Sequence, residues 1–551
     1  MPAINIMEVD QSRYTTPAVT PRVVALVPGL STFGPVFSAD NPKVGIFQGK
    51  SDIKRFAKEY GSYVNTDVGR NNYEYVMNLL YSNVTVLFGR ICPFGTATTA
   101  GANLKCTDDV TLAISAKYVG TLGSELIVAI KRADAANKQD YIVYVSNAKT
   151  VTADENGNYA EASVTAKANV LENFRISSNP NSVYYVDKVN SEYIVLPTIE
   201  DLNKLADIAD VDTEFYCVKL SGGQDDIISG DGNEEASVRE YLKNYKNFYA
   251  HFADPYIYDF DFITSGGIGE TAAEFNNETL HYTMLQLANS RGDCVPFFDL
   301  GVSTSSSAVT DYARTITTKF GLDPSYAALY APYGKINSLY SNTEIAVPPS
   351  LIVLMTIGYN LDRNSDQELW YAPAGITRAR ANFVTSTTPY EVGAAVLNDF
   401  QNNNTYRVNP IMKLKNYGYT VFGQATCLQG EVGVPASALE SLNVRLVCNV
   451  VKKAIFATCT SLTFEYNNNN LWSSFYTQMD EVLRYILNHN GISDYRITMD
   501  EETNTIESIN ARTVKGRVVI VPVLCGEKFD VDFIITPAGV TLTESSESEA
   551  E

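Results

Sequence analysis

Histidine and tryptophan are scarce in this sequence of 551 residues, which has three histidines and two tryptophans. So few imidazoles leave little material for histidine-ligated metal sites or for acid–base catalysis near neutral pH. Basic residues are also in deficit, since 42 lysines and arginines face 63 aspartates and glutamates, giving a formal net charge of −21. This charge argues against a protein that coats nucleic acid or binds an anionic membrane surface.

Long apolar runs are missing as well. The most apolar stretches, LIVLM after Ser350 and VVIVPVL after Arg517, fall well short of the roughly 18–20 residues that a membrane-spanning helix needs. The first ten residues, MPAINIMEVD, have neither the positive start nor the apolar stretch of a signal peptide. We therefore expect no direct insertion into a membrane, and folding in a cytoplasm.

The eight cysteines are scattered and form no C-x-x-C pair. This spacing favours free, buried thiols over a zinc site or a disulfide framework. The nucleophile motif G-x-S-x-G and the metalloprotease motif H-E-x-x-H do not occur. The sequence therefore predicts neither a metal or cofactor site nor an enzymatic activity.

One stretch imitates a phosphate-binding loop. GIFQGKS, with Gly45, Gly49, Lys50 and Ser51, has three residues between its glycines, whereas the loop needs four to wrap a phosphate. Ser51 and Asp52 are also well placed to cap a helix that runs to Tyr60. We interpret this stretch as a strand-to-helix turn.

A second stretch imitates a dinucleotide-binding fingerprint. FITSGGIGETAAEF matches G-x-G-x-x-[GA] at Gly267, Gly269 and Ala272, and Asp293 lies near the distance expected of a ribose-binding acid. The same glycines can simply permit a tight bend after a strand. A nucleotide-binding α/β enzyme with a β-rich insertion therefore stays open as an alternative, testable by equilibrium dialysis with a labelled dinucleotide.

The pattern of elements along the chain predicts an α+β or mixed α/β multidomain protein with a discontinuous core. Buried strands such as VVALVPG and VTVLFGRI belong to the core, and alternating strands such as ELIVAIKR and DYIVYVSN indicate a β-rich insertion. The predicted units are an N-terminal arm (1–20), a first core segment (21–95), an inserted β-rich domain (96–197), an inserted α/β domain (198–345), a second core segment (346–526), and a C-terminal arm strand with an acidic tail (527–551).

Each end of the chain carries a short strand pattern next to an extended or flexible segment. Ile4 and Ile6 alternate with polar residues ahead of a tether that holds Pro17 and Pro21. The C-terminal strand alternates between apolar and polar residues, its apolar side being Phe529, Val531, Phe533 and Ile535. Such strands suit addition to the sheet edge of another subunit, although pairing within their own chain is the alternative.

Several longer segments occur in a characteristic order. They are VVALVPGLSTFGPV, SDIKRFAKEYG, AKYVGTLGSELIVAI, LSGGQDD, PPSLIVLMTIGYNLDRNSDQELWYAPAG, NYGYTVFGQATCL and the region from LNVRLVCNVVKKAI to TFEYNNNNLW. In order and spacing the chain resembles the contractile tail sheath family of bacteriophages over nearly its whole length. Ser124, Ala425 and Tyr466 depart from the asparagine, arginine and proline that are usual in the family at these positions.

The resemblance implies a structural protein. Sheath subunits form stacked hexameric rings around a tail tube protein, and contraction from a metastable extended state drives the tube through the host cell envelope. Implied partners are further copies of the chain in a helical sheath, the tube, and baseplate and tail terminator proteins, with no nucleic acid. The implied location is the virion, after assembly in the host cytoplasm. The sheath of a headless injection system derived from a phage is a near alternative.

One candidate contact surface lies on the predicted helix over residues 444–462. Arg445, Asn449, Lys452 and Lys453 share its polar side, opposite an apolar side at helical spacing. On so acidic a chain, this basic stripe is either a solvated face or a docking surface for an acidic tube or a neighbouring subunit.

Overall fold

The computed structural model describes residues 22–527 except 39–41, 107–109, 135–136, 156, 207–214, 228–233, 245–247, 319–320, 364–366, 402–405 and 429–435. The strand-exchange residues predicted for the two arms, Ile4, Ile6, Phe529, Val531, Phe533 and Ile535, lie outside the described residues.

Strands and helices alternate along most of the described chain. The strands are β1 (Val24–Gly29), β2 (Gly45–Gln48), β3 (Thr85–Arg90), β4 (Thr99–Lys105), β5 (Thr111–Val119), β6 (Leu126–Asp134), β7 (Asn137–Asn147), β8 (Val170–Ser177), β9 (Ile194–Val195), β10 (Phe215–Lys219), β11 (Phe262–Ile263), β12 (Val295–Phe298), β13 (Ala328–Ala331), β14 (Tyr333–Asn337), β15 (Glu344–Val347), β16 (Ser386–Thr388), β17 (Asn409–Leu414), β18 (Gly418–Val421), β19 (Ile492–Thr498) and β20 (Arg517–Pro522). The helices are α1 (Ile53–Tyr60), α2 (Asp67–Tyr81), α3 (Glu161–Val164), α4 (Ile199–Ala206), α5 (Glu234–Asn244), α6 (Phe248–His251), α7 (Leu280–Arg291), α8 (Ser306–Thr318), α9 (Pro349–Arg363), α10 (Gly375–Arg378), α11 (Ala394–Gln401), α12 (Leu442–Leu462), α13 (Asn469–Asn488) and α14 (Ile506–Asn510).

Local sequence explains where the first helices begin and end. Helix α2 begins after Thr66, whose side chain accepts a hydrogen bond from the Gly69 amide, as an N-cap residue does. Helix α1 ends at Gly61, whose φ of 75° favours glycine. The predicted capping role of Ser51 needs correction: its hydroxyl donates to the Gln48 carbonyl, and Asp52 directly precedes the helix.

A central sheet of eight strands organises the described residues. Its order is β18-β17-β13-β12-β11-β1-β3-β2, and the six inner strands run parallel while β18 and β2 pair antiparallel at the edges. Strand β1 pairs on one side with β3 and on the other with β11, far along the chain. Residues 198–345 are therefore not a separate inserted α/β domain, because β11, β12 and β13 belong to the same sheet as β1.

Helices cover both faces of this sheet. Ala25 and Val27 of β1 point into an apolar cluster with α2, α9, α12 and α13. The alternate residues Val24 and Leu26 point into a second cluster with α5, α6, α7, α8 and α11. Burial on both faces is the reason why the parallel strands read as continuous apolar runs. The arrangement is a doubly wound α/β/α layer structure.

The β-rich insertion is longer than the predicted 96–197. Its four-stranded sheet has the order β10-β6-β7-β8, so that β10 belongs to it, and a three-stranded sheet has the order β4-β5-β9. Its two ends meet where the Asp226 carboxylate accepts hydrogen bonds from the amides of Phe94 and Thr96 at 2.7 Å each. The insertion therefore begins near residue 96 and ends near residue 227. A third small sheet, β15-β14-β16, is formed by residues between β13 and β17.

Candidate assembly surface

Strands β19 and β20 form an antiparallel ribbon at the end of the described chain. The pairing runs from Ile492 with Pro522 to Thr498 with Arg517, and the register shifts between Ile492 and Asp494. The ribbon directly follows α13, and β19 packs on that helix. Because an isolated two-stranded ribbon has little stability in water, this packing is what holds it in place.

The two faces of the ribbon differ in burial. Val518 and Ile520 pack against the core, whereas Val519 and Val521, which alternate with them, are each 48% exposed. Leu524, just beyond the ribbon, is 60% exposed. Two half-exposed valines followed by an exposed leucine form an exposed apolar patch, which is typical of a contact surface.

The outer edges of the ribbon are open. Within the described part of the chain, neither β19 nor β20 has another strand beside it. An open strand edge presents backbone N–H and C=O groups that can pair with an extended segment. The ribbon can therefore accept an added strand on either side, with the exposed valines as apolar contacts.

The ribbon is fixed firmly to the helices beneath it. The Asn443 side chain on α12 donates to the Val523 carbonyl at 3.0 Å, and the Val523 amide donates to the Gly491 carbonyl at 3.2 Å. The Tyr495 hydroxyl donates to Asp480 on α13 at 2.7 Å. A strand added to the ribbon would therefore transmit force to the α12–α13 helix pair.

The predicted basic stripe lies on α12, but most of it faces inward. Arg445 is 3% exposed, lies over the Tyr326 ring at 4.0 Å, and donates to the Ser325 carbonyl at 3.2 Å. Asn449 is 4% exposed. The expectation of a solvated or partner-facing stripe therefore needs correction for these two residues, because both are buried and α12 packs Arg445 against the segment before β13.

The two lysines of the stripe also contact their own chain. Lys452 donates to the Gly292 carbonyl at 3.0 Å and to the Tyr326 hydroxyl at 2.6 Å. Lys453 reaches Asp261 at 2.6 Å and Asp259 at 2.8 Å. Burial alone would lower the pKa of Lys453, but these two carboxylates raise it above its usual value. Lys453 thus fastens α12 to the strand region, while Lys452 is exposed, so that its docking role stays a prediction.

In the GIFQGKS stretch, which resembles a phosphate-binding loop, side chains of the protein fill the place of a phosphate. Lys50 forms an ion pair with Asp362 at 2.5 Å, and the Gly49 backbone lies against the Asn83 side chain, so that a Cβ at Gly49 would lie 2.2 Å from its Oδ1. These contacts support the interpretation of this stretch as a structural turn.

The stretch that resembles a dinucleotide-binding fingerprint is also filled by protein groups. Helix α7 begins at Leu280, well after Gly267, Gly269 and Ala272, and the Leu280 amide donates to the Glu270 carboxylate at 2.7 Å. A carboxylate already fills the position where a pyrophosphate would meet the helix N-terminus. Asp293, the candidate ribose-binding acid, pairs instead with Arg291, whose side chain is fully buried.

The crevice between β1 and β11 is also filled. In doubly wound sheets, ligands bind where neighbouring strands are followed by connections in opposite directions. Here the Asn72 side chain donates to the carbonyls of Pro28 at 3.0 Å and Gly266 at 2.8 Å, and it accepts from the Leu30 amide at 2.8 Å. Asn72 therefore joins the two loops and closes the crevice.

A buried polar network lies at the end of β12. Asp299 accepts hydrogen bonds from the Ser350 amide and hydroxyl, and the Ser350 hydroxyl meets the Tyr75 hydroxyl at 2.9 Å. Burial raises the pKa of Asp299 to about 7, more than the hydrogen bonds from Ser350 lower it. Nearby, His281 is fully buried against Phe298, and burial lowers its pKa to about 3. All these groups are enclosed in the core, where Asp299 caps α9 and the bond from Ser350 to Tyr75 links α9 to α2.

Membrane spans and metal centres are both missing from the described residues. None of the helices among them combines the length and the apolarity needed to cross a membrane. Within the same ranges, no group of three or more His, Cys, Asp or Glu side chains is arranged to hold a metal ion.

Sequence reasoning missed the ribbon as a contact surface. The pattern of GRVVIVPVL predicts only a closing strand. The available signal was its position: two strands follow the last long helix, and the next strand pattern, Phe529–Ile535, is the one predicted to pair with another subunit. Exposure of Val519 and Val521 depends on which face packs on α13, and the sequence does not reveal that.

Comparison with known proteins identifies relatives over nearly the full length. No protein-family model matches the chain. The tail sheath protein of Vibrio phage KVP40 is 22% identical, in an alignment that covers 94% of this chain and 82% of that protein. The fold is similar to the sheath tail protein of Listeria innocua, with a TM-score of 0.53, 12% identity, and coverage of 92% of this chain and 96% of that one. A sheath tail protein of Desulfitobacterium hafniense matches with a TM-score of 0.50, 12% identity, and coverage of 95% and 100%.

Proposed function

The chain belongs to the contractile tail sheath family, and from this premise we propose that it is the sheath subunit of a contractile phage tail. The relatives are structural sheath proteins and not enzymes, and we assign the same structural role here. The broader assignment covers phage tails and phage-derived injection systems. We favour the phage tail because the relative that aligns over most of this chain comes from a phage. Electron microscopy of the native particles tests this choice, since a phage tail carries a head.

We infer that subunits assemble as stacked hexameric rings around a tail tube and contract from a metastable extended state. The virion is then the site of action, after assembly in the host cytoplasm, with baseplate and tail terminator proteins at the two ends of the sheath. Such a lattice needs one set of contacts between neighbouring subunits in the extended state and another in the contracted state, and the contracted set must be lower in free energy. A gain of about 1–3 kcal/mol per subunit, the scale of a typical coupling energy, becomes large when many rings change together.

The β19–β20 ribbon is the observation that carries this proposal. It offers two open edges and two half-exposed valines. The two arms supply alternating strand patterns: Ile4 and Ile6 at one end, and the set from Phe529 to Ile535 at the other. We propose that arm strands of neighbouring subunits pair with these edges and join the rings into a mesh.

Strand exchange suits a subunit that must move and stay connected. Backbone hydrogen bonds hold an added strand, while the tether at residues 12–21 and the segment around Gly526 let the body of the subunit rotate. Full burial of an apolar side chain contributes about 1.5–3 kcal/mol. Covering the exposed halves of Val519 and Val521 should therefore contribute about 1–3 kcal/mol together. That value is comparable to the coupling energy per subunit.

The experiment alters the ribbon without altering the core. In V519K/V521K both lysines lie on the exposed face, so that circular dichroism should be unchanged while long tubes disappear from negative-stain images. The matched control is V195K, since Val195 is also exposed in a short strand, at 52%, but belongs to the insertion. Deletion of residues 1–12 should have the same effect as V519K/V521K. Normal tubes from both altered chains would contradict the proposal.

A further inference from the structure

Five basic residues lie on elements that meet at the β17–β18 hairpin. We call this set the basic hairpin patch, and its members are Arg363, Arg378, Arg380, Lys413 and Lys415. Arg363 ends α9, Arg378 ends α10, and the two lysines lie at the end of β17 and in the following turn. Arg380 pairs by a β-bridge with Thr420 of β18. The patch is thus built from three adjacent elements.

Backbone contacts hold these elements together. The Ala381 amide donates to the Tyr419 carbonyl at 2.8 Å, and Arg380 Nε donates to the Tyr417 carbonyl at 3.3 Å. The Asn360 side chain on α9 donates to the Arg378 carbonyl. These bonds fix the backbone around Arg378 and Arg380 relative to α9 and to the hairpin.

These cations have no carboxylate partner among the described residues, which is unusual on a chain of net charge −21. Four of them lie over tyrosine rings instead: Arg363 over Tyr359 at 5.2 Å, Arg378 over Tyr371 at 5.0 Å, Arg380 over Tyr417 at 6.0 Å and Lys413 over Tyr419 at 5.8 Å. Stacking of this kind orients a cation and leaves its charge available.

Two acidic groups lie near the patch. Asp362 pairs with Lys50, and Glu391, in the groove beside the hairpin, accepts a hydrogen bond from the Tyr419 hydroxyl at 3.0 Å. A groove of about 400 Å³ runs beside the hairpin, with Lys413 and Lys415 among its lining residues. Tyr417 at the hairpin turn is 44% exposed. The surface therefore combines available positive charge with exposed aromatic area, which fits an acidic peptide.

We propose that the basic hairpin patch binds the acidic C-terminal tail of its own chain, residues 544–551. This tail, ESSESEAE, carries Glu544, Glu547, Glu549 and Glu551, and residues 529–551 contain no lysine or arginine. The inference does not depend on the proposed function, and it concerns the free subunit.

The exit of the chain favours the tail of the same subunit. Glu527, the last described residue, contacts Gln424 at 3.0 Å and Arg407 at 3.7 Å, and these two flank the hairpin strands. The hairpin turn lies one strand length away, about 20 Å for six residues. The 16 residues from 528 to 543 have a maximum reach of about 53 Å. The hairpin turn is therefore within reach of the tail of the same subunit, and this tethering raises the effective concentration of the tail at the patch.

The test uses the full chain, free and unassembled, as an equal mixture of normal and nitrogen-15-labelled protein. Zero-length carbodiimide crosslinking should join Lys413 or Lys415 to tail glutamates within one isotopic form. Raising the salt from about 0.01 to about 1 M shortens the screening length from about 30 to about 3 Å, so that the yield should fall about tenfold. Exposed Lys54 and Lys167 report the background. Equal linkage to those two lysines, or linkage mainly between isotopic forms, would overturn the proposal.

A second measurement tests the same proposal without crosslinking. A glutamate-specific protease should cleave the tail of K413E/K415E about tenfold faster than that of the unaltered chain, because the tail is no longer held. The control K54E/K167E carries the same charge change elsewhere and should leave the rate unchanged. Adding E547K/E549K to K413E/K415E should return cleavage after Glu544, a site that every variant keeps, to the slow rate of the unaltered chain. Equal rates in all variants would overturn the proposal. So would oligodeoxythymidine binding that K413E/K415E abolishes and tail deletion leaves unchanged, since it would assign the patch to nucleic acid.

Discussion

Replacing Lys453 by methionine should destabilise the fold, because Lys453 joins α12 to the strand region through two carboxylates. Its side chain is 22% exposed, Asp261 is 12% exposed, and Asp259 is 53% exposed. Removing one partner of a buried ion pair costs about 3–5 kcal/mol. Because Asp259 is half in water and also pairs with Arg22, we reduce the expected loss to about 2–4 kcal/mol.

Methionine is the informative substitution, since it nearly conserves volume and removes only the charge and its hydrogen bonds. Urea unfolding at neutral pH gives the free energy of unfolding for K453M and for K54M, a change at an exposed lysine on α1. Adding D261N to K453M should recover part of the loss, because an amide tolerates burial better than an unpaired carboxylate. A loss in K453M no larger than that in K54M would refute the reasoning.

The direction in which stability changes with pH follows from the pKa of Asp259, one partner of Lys453. Burial raises and Lys453 and Arg22 lower the pKa of Asp259, and the net result is a pKa below the usual value. The stability that Asp259 contributes is therefore present above its unfolded pKa of about 3.9 and is lost as the pH falls below that value.

Four further predictions concern other regions of the chain. Because the pKa of Asp299 is raised to about 7, the unaltered chain should lose up to about 4 kcal/mol of unfolding free energy between pH 4 and 7, and D299N should lose less over that range, as measured by urea unfolding at several pH values. N72A should cost about 2–3 kcal/mol, since it unpairs an amide and two carbonyls, which thermal unfolding will detect. Limited proteolysis of assembled tubes should cut first at the exposed turn of residues 154–158, and early cuts within α12 would contradict the packing described here. K452E should weaken co-sedimentation with tube protein in a salt-dependent way if the exposed lysine contacts the tube; equal binding at all ionic strengths would exclude that contact.

Elements with strong local patterns could be predicted from the sequence. The apolar positions of α12 recur at helical spacing, from Val444 to Leu462, and the observed helix spans Leu442–Leu462. The apolar run of β3 predicts burial on both faces, and five of its six residues are buried. In both elements the pattern follows from burial of the residues themselves, so that no distant partner has to be known.

Pairings between distant segments could not be predicted. Strand β11 has only two residues, and its parallel pairing with β1 joins positions more than 200 residues apart, such as Ala25 and Phe262. No local pattern marks that contact, so that the sequence alone predicts a separate domain over residues 198–345.

The α12 stripe shows the same limit for the candidate site. A polar helix face is solvated in most surface helices, yet here Arg445 and Lys453 meet carbonyls and carboxylates of another layer. The identity of those partners depends on the fold and not on the helix sequence.

The central claim is that neighbouring subunits complete the β19–β20 ribbon, and a cryo-electron microscopy map of assembled tubes tests it most directly. We predict an additional strand from another copy along the outer edge of β19 and of β20, one traced to residues 1–20 and one to residues 527–551. A map in which the ribbon keeps only its own two strands, with both arms packed on their own subunit, would contradict the account.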